Sequence, residues 1–400
     1  VFHFIFDRKI NGHPYPNLAP EISLHNGYHG LGMMYPFVIP LRILYYAQDH
    51  DFPVNISYIY EDIPENAFYP IGLHFFNFDI DYFQLLSDKV KDLCRNGALK
   101  ILFYYHEGDS PYDEEKRLEY LCHKNNLPLD CYVFISGNTV ADNLKRFVYF
   151  ADHELFYWRN SVIWNRKSMD GNTYHENRRN KQFTMLSRIH KNWRATITSQ
   201  FHRLGLLDSS VWSYNMVDGG AGDCLITDNP LRIKAFKGLQ DYINSFLSGA
   251  PYACDTLSST EHNSHWTYVP EHYSDSYCSL VLETLYDADG SGGSFLTEKT
   301  FKPIRHAHPF ILFGPPNSLA ILRSLGYRTF DDIIDNRYDL DTDNTKRFIK
   351  STIQVKRLHK KDMHEWFLSA KDDILHNQDL FLSSKYDRLN KLYQKIIGKQ

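Results

Sequence analysis

The chain lacks any apolar run approaching the ~18 residues that cross a bilayer, so no membrane span is expected. Cysteine is scarce and scattered: the six are Cys94, Cys122, Cys131, Cys224, Cys254 and Cys278, with no CxxC pair. That spacing argues against a structural zinc site and against a disulfide scaffold, and a reducing, cytoplasmic setting is the expectation. Twenty histidines fall in no HExxH or HxxEH spacing, so no metal site is expected from them. Charge of one sign is also missing. Lys and Arg total 44 against 48 Asp and Glu, a net of −4, and the chain as a whole carries no nucleic-acid footprint. The opening VFHFIFDRKINGHP is apolar for only six residues and lacks a signal-peptide layout. Internal repeats are absent. Asn55-Ile56-Ser57 fits a glycosylation sequon, but it lies in an expected strand, and chance is the better explanation.

What is present is a globular composition of ordinary hydrophobicity in 400 residues, too long for one typical core, so two domains are expected. Aromatics make up 15%, with 28 Tyr and 27 Phe, and are read as core and strand residues rather than as a sugar-binding cleft. The first ~160 residues alternate strand-like and helix-like segments, as in an α/β layer. Strands are expected at Val54–Tyr60, Lys100–Tyr105, Tyr132–Ser136 and Arg146–Phe150, and helices at Asp81–Cys94 and Glu114–Lys124. The almost wholly polar NRKSMDGNTYHENRRNK, Asn165–Lys181, reads as a loop or interdomain linker. A second α/β unit then opens with a strand at Phe183–Ser187, a helix at Asn192–Arg203 and a strand at Val211–Asn215. Gly219–His272 has no readable period, and Tyr277–Leu285 is ambiguous between helix and strand. The stretch from Phe295 to Asp339 carries an amphipathic segment opened by Glu298-Lys299, a strand at Pro309–Phe313, a Gly-Pro-Pro turn and a short helix ending at Gly326. Lys360–Lys399 is helical.

Three groups of residues could carry chemistry. Ser187-Arg188-Ile189-His190-Lys191-Asn192-Trp193-Arg194 puts three cations at a strand-to-helix junction, where free backbone N–H groups and the helix dipole already favour an anion. A diphosphate leaving group needs such surroundings; a solvated basic turn is the plain alternative. In Thr297-Glu298-Lys299-Thr300-Phe301-Lys302, Thr297 caps a helix whose first carboxylate can take two ribose hydroxyls and whose ammonium can meet a phosphate, with Lys302 a turn beyond. A capped surface helix is the plain alternative. In the first half, His106, Glu107 and Asp109 fall at the carboxyl end of a strong strand, where ligands gather in open α/β sheets. Any of the three could act as the base that takes an acceptor proton. His25-Asn26-Gly27-Tyr28-His29-Gly30 is a second such loop, its glycines allowing close approach.

A competing pattern overlaps the second group. Asp287 to Glu298 matches the EF-hand calcium loop, with Asp at positions 1 and 3, Gly at 6 and Glu at 12. Against it stand Ser294 at position 8, Pro303 in the exiting helix, and the lack of a second loop. Asp287-Ala288-Asp289 also has the DxD form of a metal-held nucleotide sugar, and Asp79-Ile80-Asp81 shows how readily that form recurs.

The phrases TEKTFKPIRHAHPFILFGPPNSLAILRSLGYRTFDDIID and FTMLSRIHKNWRATITSQFHRLGLLDSSVWSYN resemble the donor domain of GT-B-type glycosyltransferases, in particular fucosyltransferase-like and exostosin-like enzymes. The resemblance covers Phe183 to about Asp339. It implies an α/β fold of two Rossmann-like domains facing a cleft, with a C-terminal helical segment: an acceptor-side domain at 1–165, a linker at 166–182, a nucleotide-sugar domain at 183–360, and helices at 361–400 packing back toward the first domain. By that analogy Arg188, Lys191 and Arg194 face the diphosphate, Glu298 takes the ribose and Lys299 a phosphate. Eight residues before Glu298 stands Gly290, a departure from the Glu-x7-Glu of many retaining enzymes that favours inversion. The expected activity is transfer of a sugar from a nucleotide-sugar donor to an acceptor hydroxyl, inverting and metal-independent. Asp109, Glu107 or His29 would be the base, with no cofactor beyond the donor substrate, and domain closure would exclude water from the cleft. The acceptor is a carbohydrate or another hydroxyl compound. Alternatives are a modified base of viral DNA, which would need a basic face at Arg166, Lys167, Arg178, Arg179 and Lys181, and a non-catalytic calcium- or sugar-binding protein.

Overall fold

The computed structural model describes residues 1–6, 34–35, 46, 51–59, 61–73, 76–159, 174–217, 238–254, 269–287 and 293–399. The chain divides into two compact units: Val1–Leu155 with Asp289–Phe295 and Ser383–Gln400, and Phe156–Ala288 with Leu296–Leu382. The division falls at Leu155, ahead of the polar stretch expected to be the linker. That stretch is already structured at its far end, where Lys181 opens a strand.

The first unit holds β1 (Phe2–Phe6), β2 (Met34–Tyr35), β3 (Val54–Tyr58), β4 (Ala67–Leu73), α1 (Asp88–Arg95), β5 (Lys100–Tyr105), α2 (Pro111–Lys124), β6 (Tyr132–Ser136) and β7 (Phe147–Tyr149). Helix α3 (Asp152–Arg159) spans the division. The second unit holds β8 (Lys181–Ile189), α4 (Asn192–Arg203), β9 (Ser210–Val217), α5 (Leu239–Ser248), α6 (Pro270–Ser274), β10 (Ser276–Leu282), α7 (Glu298–Arg305), β11 (Phe310–Phe313), α8 (Ser318–Ser324), α9 (Asn344–His359), α10 (Met363–Ser369) and α11 (Lys371–Ser383). The last helix, α12 (Lys385–Gly398), belongs to the first unit. Of the C-terminal helices, therefore, α12 joins the first unit, while α10 and nearly all of α11 belong to the second.

The first sheet runs β3-β1-β4-β5-β6-β7 in parallel, with β2 antiparallel on β4. Its strands alternate sides with period two, and each face is apolar. Ile5, Ile71, Phe103 and Phe134 point into one core with Val90, Leu118 and Leu121 of α1 and α2. Phe4, Phe68, Leu102 and Val133 point into the other, which is completed by Leu389, Leu392 and Ile396 of α12. Those three residues recur at helical spacing, which gives α12 one apolar stripe. Its first turn is tied by a buried ion triad: Lys385 Nζ reaches Glu154 Oε1 at 2.6 Å and Arg388 Nε reaches Glu154 Oε2 at 2.9 Å. The aromatic surplus is used as core, as in the Phe134–Phe147 stack at 4.7 Å.

The second sheet runs β11-β10-β8-β9, all parallel. Both units are thus α/β with Rossmann-like sheets. Every residue of β10 and β11 is buried, as expected of parallel strands covered on both faces. The ambiguous Tyr277–Leu285 resolves as strand β10. The expected helix at Asp81–Cys94 is confined to α1, because the Ser87 hydroxyl caps it by accepting the Val90 N–H. Before that cap, Asp81 instead accepts the Gln84 N–H in a turn.

Candidate functional site

Chain order and sheet order together locate a crevice in the second unit. From β8 the chain passes through α4 to β9 on one side, and β10 then lies on the other side of β8. Neighbouring connections leaving in opposite directions make a topological switch point, and ligands of open α/β sheets bind there, outside the carboxyl ends of the strands. The carboxyl ends concerned are Ile189 and Leu282. The residues that follow them are the basic turn and the pair Glu283-Thr284.

Glu283 is fully buried and organises the crevice. Its Oε1 accepts the Thr297 backbone N–H at 3.0 Å and its Oε2 the Thr297 hydroxyl at 2.7 Å. The Thr300 hydroxyl also donates to Oε1, and the Thr284 N–H to Oε2. A carboxylate with four donors at the amino end of α7 both fills its acceptor capacity and complements the helix dipole. It fixes where Glu298 and Lys299 stand. Lys299 Nζ donates to Glu298 Oε1 at 2.9 Å, to Thr284 Oγ1 at 3.1 Å and to Thr297 Oγ1 at 3.2 Å. From the other strand, Lys191 Nζ donates to the Thr284 carbonyl at 2.9 Å. Arg188 is exposed at the end of β8, and its charge reaches Lys302 together with those of Glu298 and Lys299. Lys191 and Lys299, from two distant segments, thus both donate to Thr284, and Lys299 also pairs with Glu298.

Arg194 does a different job from the one expected. It is 2% exposed, and its Nε and Nη2 donate to the Glu283 carbonyl while Nη1 donates to the Ile189 carbonyl at 3.1 Å. Burial pushes it down to about 10, while the charge of Glu283 acts the other way. It ties the carboxyl ends of β8 and β10 together through these carbonyls. Arg347 plays a like part beside it, donating to the carbonyls of Gly314, Asp341 and Tyr286. Glu283, Thr284 and Arg347 were not expected from sequence. An acidic residue closing an apolar strand was the one available signal for Glu283.

In the first unit, His106, Glu107 and Asp109 follow β5. His106 is buried, and its Nε2 lies 3.3 Å from Glu107 Oε1. Asp109 is exposed and accepts the Tyr105 hydroxyl. The loop is held from the next strand, where Asn138 Nδ2 donates to the Gly108 carbonyl at 3.0 Å. Gly108 and Gly137 lie under the ring of Phe295: an added Cβ would come within 2.4 Å and 2.9 Å of it respectively. Ser294 is pinned by a Thr139 Oγ1 acceptor at 3.0 Å. His29 and its loop lie outside the described residues, as do Arg166, Lys167 and Asp289.

The calcium-loop pattern has partners of its own at both ends: Asp287 accepts the Asn344 amide and Glu298 the Lys299 ammonium. Arg179 leaves the expected basic face. Its guanidinium lies 3.9 Å from the Phe367 ring centroid and donates to the Tyr273 and Ser276 carbonyls, a packing role. Lys181 is a β8 residue, and Arg178 is exposed.

No family model, no curated protein and no solved structure matches the chain. Among the described residues, no helix is long and apolar enough to cross a membrane, and no group of three or more His, Cys, Asp or Glu side chains could hold a metal ion. Fold and side chains together define an α/β protein with Arg188, Lys191 and Lys299 near the carboxyl-end switch point of its second sheet.

Proposed function

We propose that the chain is a glycosyltransferase that uses a nucleotide-sugar donor, with the donor bound at the switch point of the second unit. The observation that carries this reading is the meeting of Lys191, after β8, and Lys299, on α7, at Thr284, with Glu298 beside them. A nucleotide sugar presents ribose hydroxyls and a diphosphate. Glu298 is the acceptor for the former, and Arg188, Lys191 and Lys299 are the charges for the latter.

In the proposed reaction the acceptor hydroxyl oxygen bonds to the anomeric carbon as the bond from that carbon to the diphosphate oxygen breaks. The bonding pair leaves with the nucleoside diphosphate, where side-chain cations meet the growing charge. The hydroxyl proton passes to a general base, for which Asp109, Glu107 and His29 are the candidates. A single displacement of this kind inverts the anomeric centre.

The test is thermal shift against UDP-, GDP-, CMP- and dTDP-sugars, since a ligand of the native state raises the melting temperature by linkage. One donor class should stabilise the protein, and the shift should vanish in Glu298→Ala and Lys299→Met. Stabilisation that survives both substitutions would remove the donor-site assignment.

A further inference from the structure

Helix α9 and the two lysines that follow it carry charge of one sign. Residues 344–361 contain seven Lys and Arg and no Asp or Glu, in a chain whose net charge is −4. At about 100° per residue the helix divides into two arcs that do not interleave. Phe348, Ser351, Thr352, Val355 and Leu358 are buried on one side. Lys346, Lys350, Lys356, Arg357 and Lys360 are exposed on the other, within an arc of about 120°. Ile349 and Ile353 fall inside that exposed arc with cations to either side, and are 37% and 40% exposed. They are not the margin of the buried face. Leu340, 62% exposed, ends the 3-10 turn Asn336–Leu340 ahead of the helix. The next residue, Asp341, meets Lys350 Nζ at 2.6 Å and so ties the segment carrying Leu340 to the exposed arc.

Few carboxylates answer these cations. Besides the Lys350–Asp341 pair, Arg357 lies 4.0 Å from Asp335. Lys346, Lys356, Lys360 and Lys361 have no ion pair among the described residues. Asp343 and Asp362 stand just before and just after the basic run, where their carboxylates accept backbone N–H groups as helix caps.

We propose that this face of α9 docks on an anionic lipid bilayer, lying along the headgroups with Ile349 and Ile353 entering the acyl boundary. The proposal is independent of the donor-site reading. A row of cations about 20 Å long complements the negative surface potential of such a membrane. Lysine ammoniums reach the lipid phosphates on apolar stems while the aliphatic side chains between them leave water. A nucleic-acid backbone draws on the same charges but offers nothing to two branched aliphatics, and no exposed position of the helix is a Tyr, Phe or Trp on which a base could stack. A second copy of the chain is disfavoured, because the two faces would set like charges against each other.

The experiment is co-sedimentation of the whole chain with vesicles of phosphatidylcholine alone or with about 30 mol% phosphatidylserine, at about 0.1 M and about 1 M salt. Melting curves check the fold of each variant. The wild type should pellet with the anionic vesicles at the lower salt, and neither at the higher salt nor with neutral vesicles. The triple variant Lys346→Ala, Lys356→Ala, Lys360→Ala should lose about a hundredfold in partition, at about fivefold per lysine. A control of equal charge, Lys89→Ala, Lys116→Ala, Lys145→Ala on exposed lysines of the first unit, should keep wild-type partition. Ile349→Gln with Ile353→Gln leaves every charge in place and should lose about tenfold. A wild type that stays in the supernatant, equal losses in the two lysine triples, or wild-type partition in the isoleucine variant would each overturn the proposal. A wild type that binds a DNA duplex and no vesicle would make the face a nucleic-acid surface and overturn the bilayer reading.

Discussion

Glu283 holds Thr297 at two points, its Oε1 accepting the backbone N–H at 3.0 Å and its Oε2 the hydroxyl at 2.7 Å. Helix α7, whose first residues are Glu298 and Lys299, is thus aimed by a carboxylate that lies just past β10 and is closed to solvent.

The consequence is testable by deletion of that carboxylate. Glu283→Ala strands the Thr297 and Thr284 N–H groups in a buried site and should cost about 3 kcal/mol, read as a lower urea midpoint. Glu283→Gln keeps the shape and two acceptor lone pairs but introduces an amide among donors, so it should fall between wild type and Ala. An unchanged midpoint in Glu283→Ala would show that α7 is aimed by other contacts.

Arg188 and Arg194 lie one short turn apart and should separate cleanly. Arg188→Ala removes an exposed charge, so stability should stay within about 0.5 kcal/mol while pyrophosphate affinity drops several-fold. Arg194→Met takes the clamp from the Glu283 and Ile189 carbonyls and should cost about 2–4 kcal/mol. Loss of affinity in Arg194→Met beyond what its unfolding explains would restore it as a ligand-facing residue. Denaturant curves and titration on the same samples decide.

The first unit offers a packing test. A Cβ on Gly108 would stand 2.4 Å from Phe295 Cγ, so Gly108→Ala should destabilise by about 1–3 kcal/mol. In a Phe295→Gly background, which removes both the ring and the Cβ that would stand 2.5 Å away, the same substitution should cost much less, giving a coupling energy of opposite sign to the single effect. Additive costs would mean that the ring is displaced freely and does not seat on this glycine.

How much of this was legible in sequence depended on where each signal lay. Strand β5 and helix α4 were plain, because their apolar spacing is local. Strand β4 was missed, since Pro70 and Gly72 interrupt AFYPIGL and argue against a strand unless the tertiary setting overrides them. The expectation for Lys191, Lys299 and Glu298 came from motif chemistry alone. A sequence cannot tell an arginine that faces a ligand from one turned under the strand ends, and only the fold shows Arg194 donating to the Glu283 and Ile189 carbonyls. Glu283 was invisible for the converse reason: three of its four donors come from Thr297 and Thr300, which only the fold brings to it. Polarity marks exposed chain rather than unit boundaries, and Arg179 shows that a polar stretch can hold a half-buried cation packed on Phe367.

Glu114 links burial to pH. It lies in the first turn of α2, 1% exposed, and neither carboxyl oxygen has a hydrogen-bond partner among the described residues. Burial, then the charges of Asp109 and Asp113, hold its carboxyl well above the ordinary range, so it is kept protonated in the fold. The unfolded chain releases that proton near pH 4.5, and the folded protein does so only at a higher value. Between the two, the native state binds more protons than the unfolded state, and stability falls as pH rises, with a limiting slope of about 1.4 kcal/mol per pH unit. Glu114→Gln is neutral at every pH and removes that slope. It should therefore match the wild type near pH 4 and exceed it increasingly toward neutral pH, as measured by urea midpoints across the range. Parallel curves for the two proteins would mean that the carboxylate is ionised in the native state and finds compensation there.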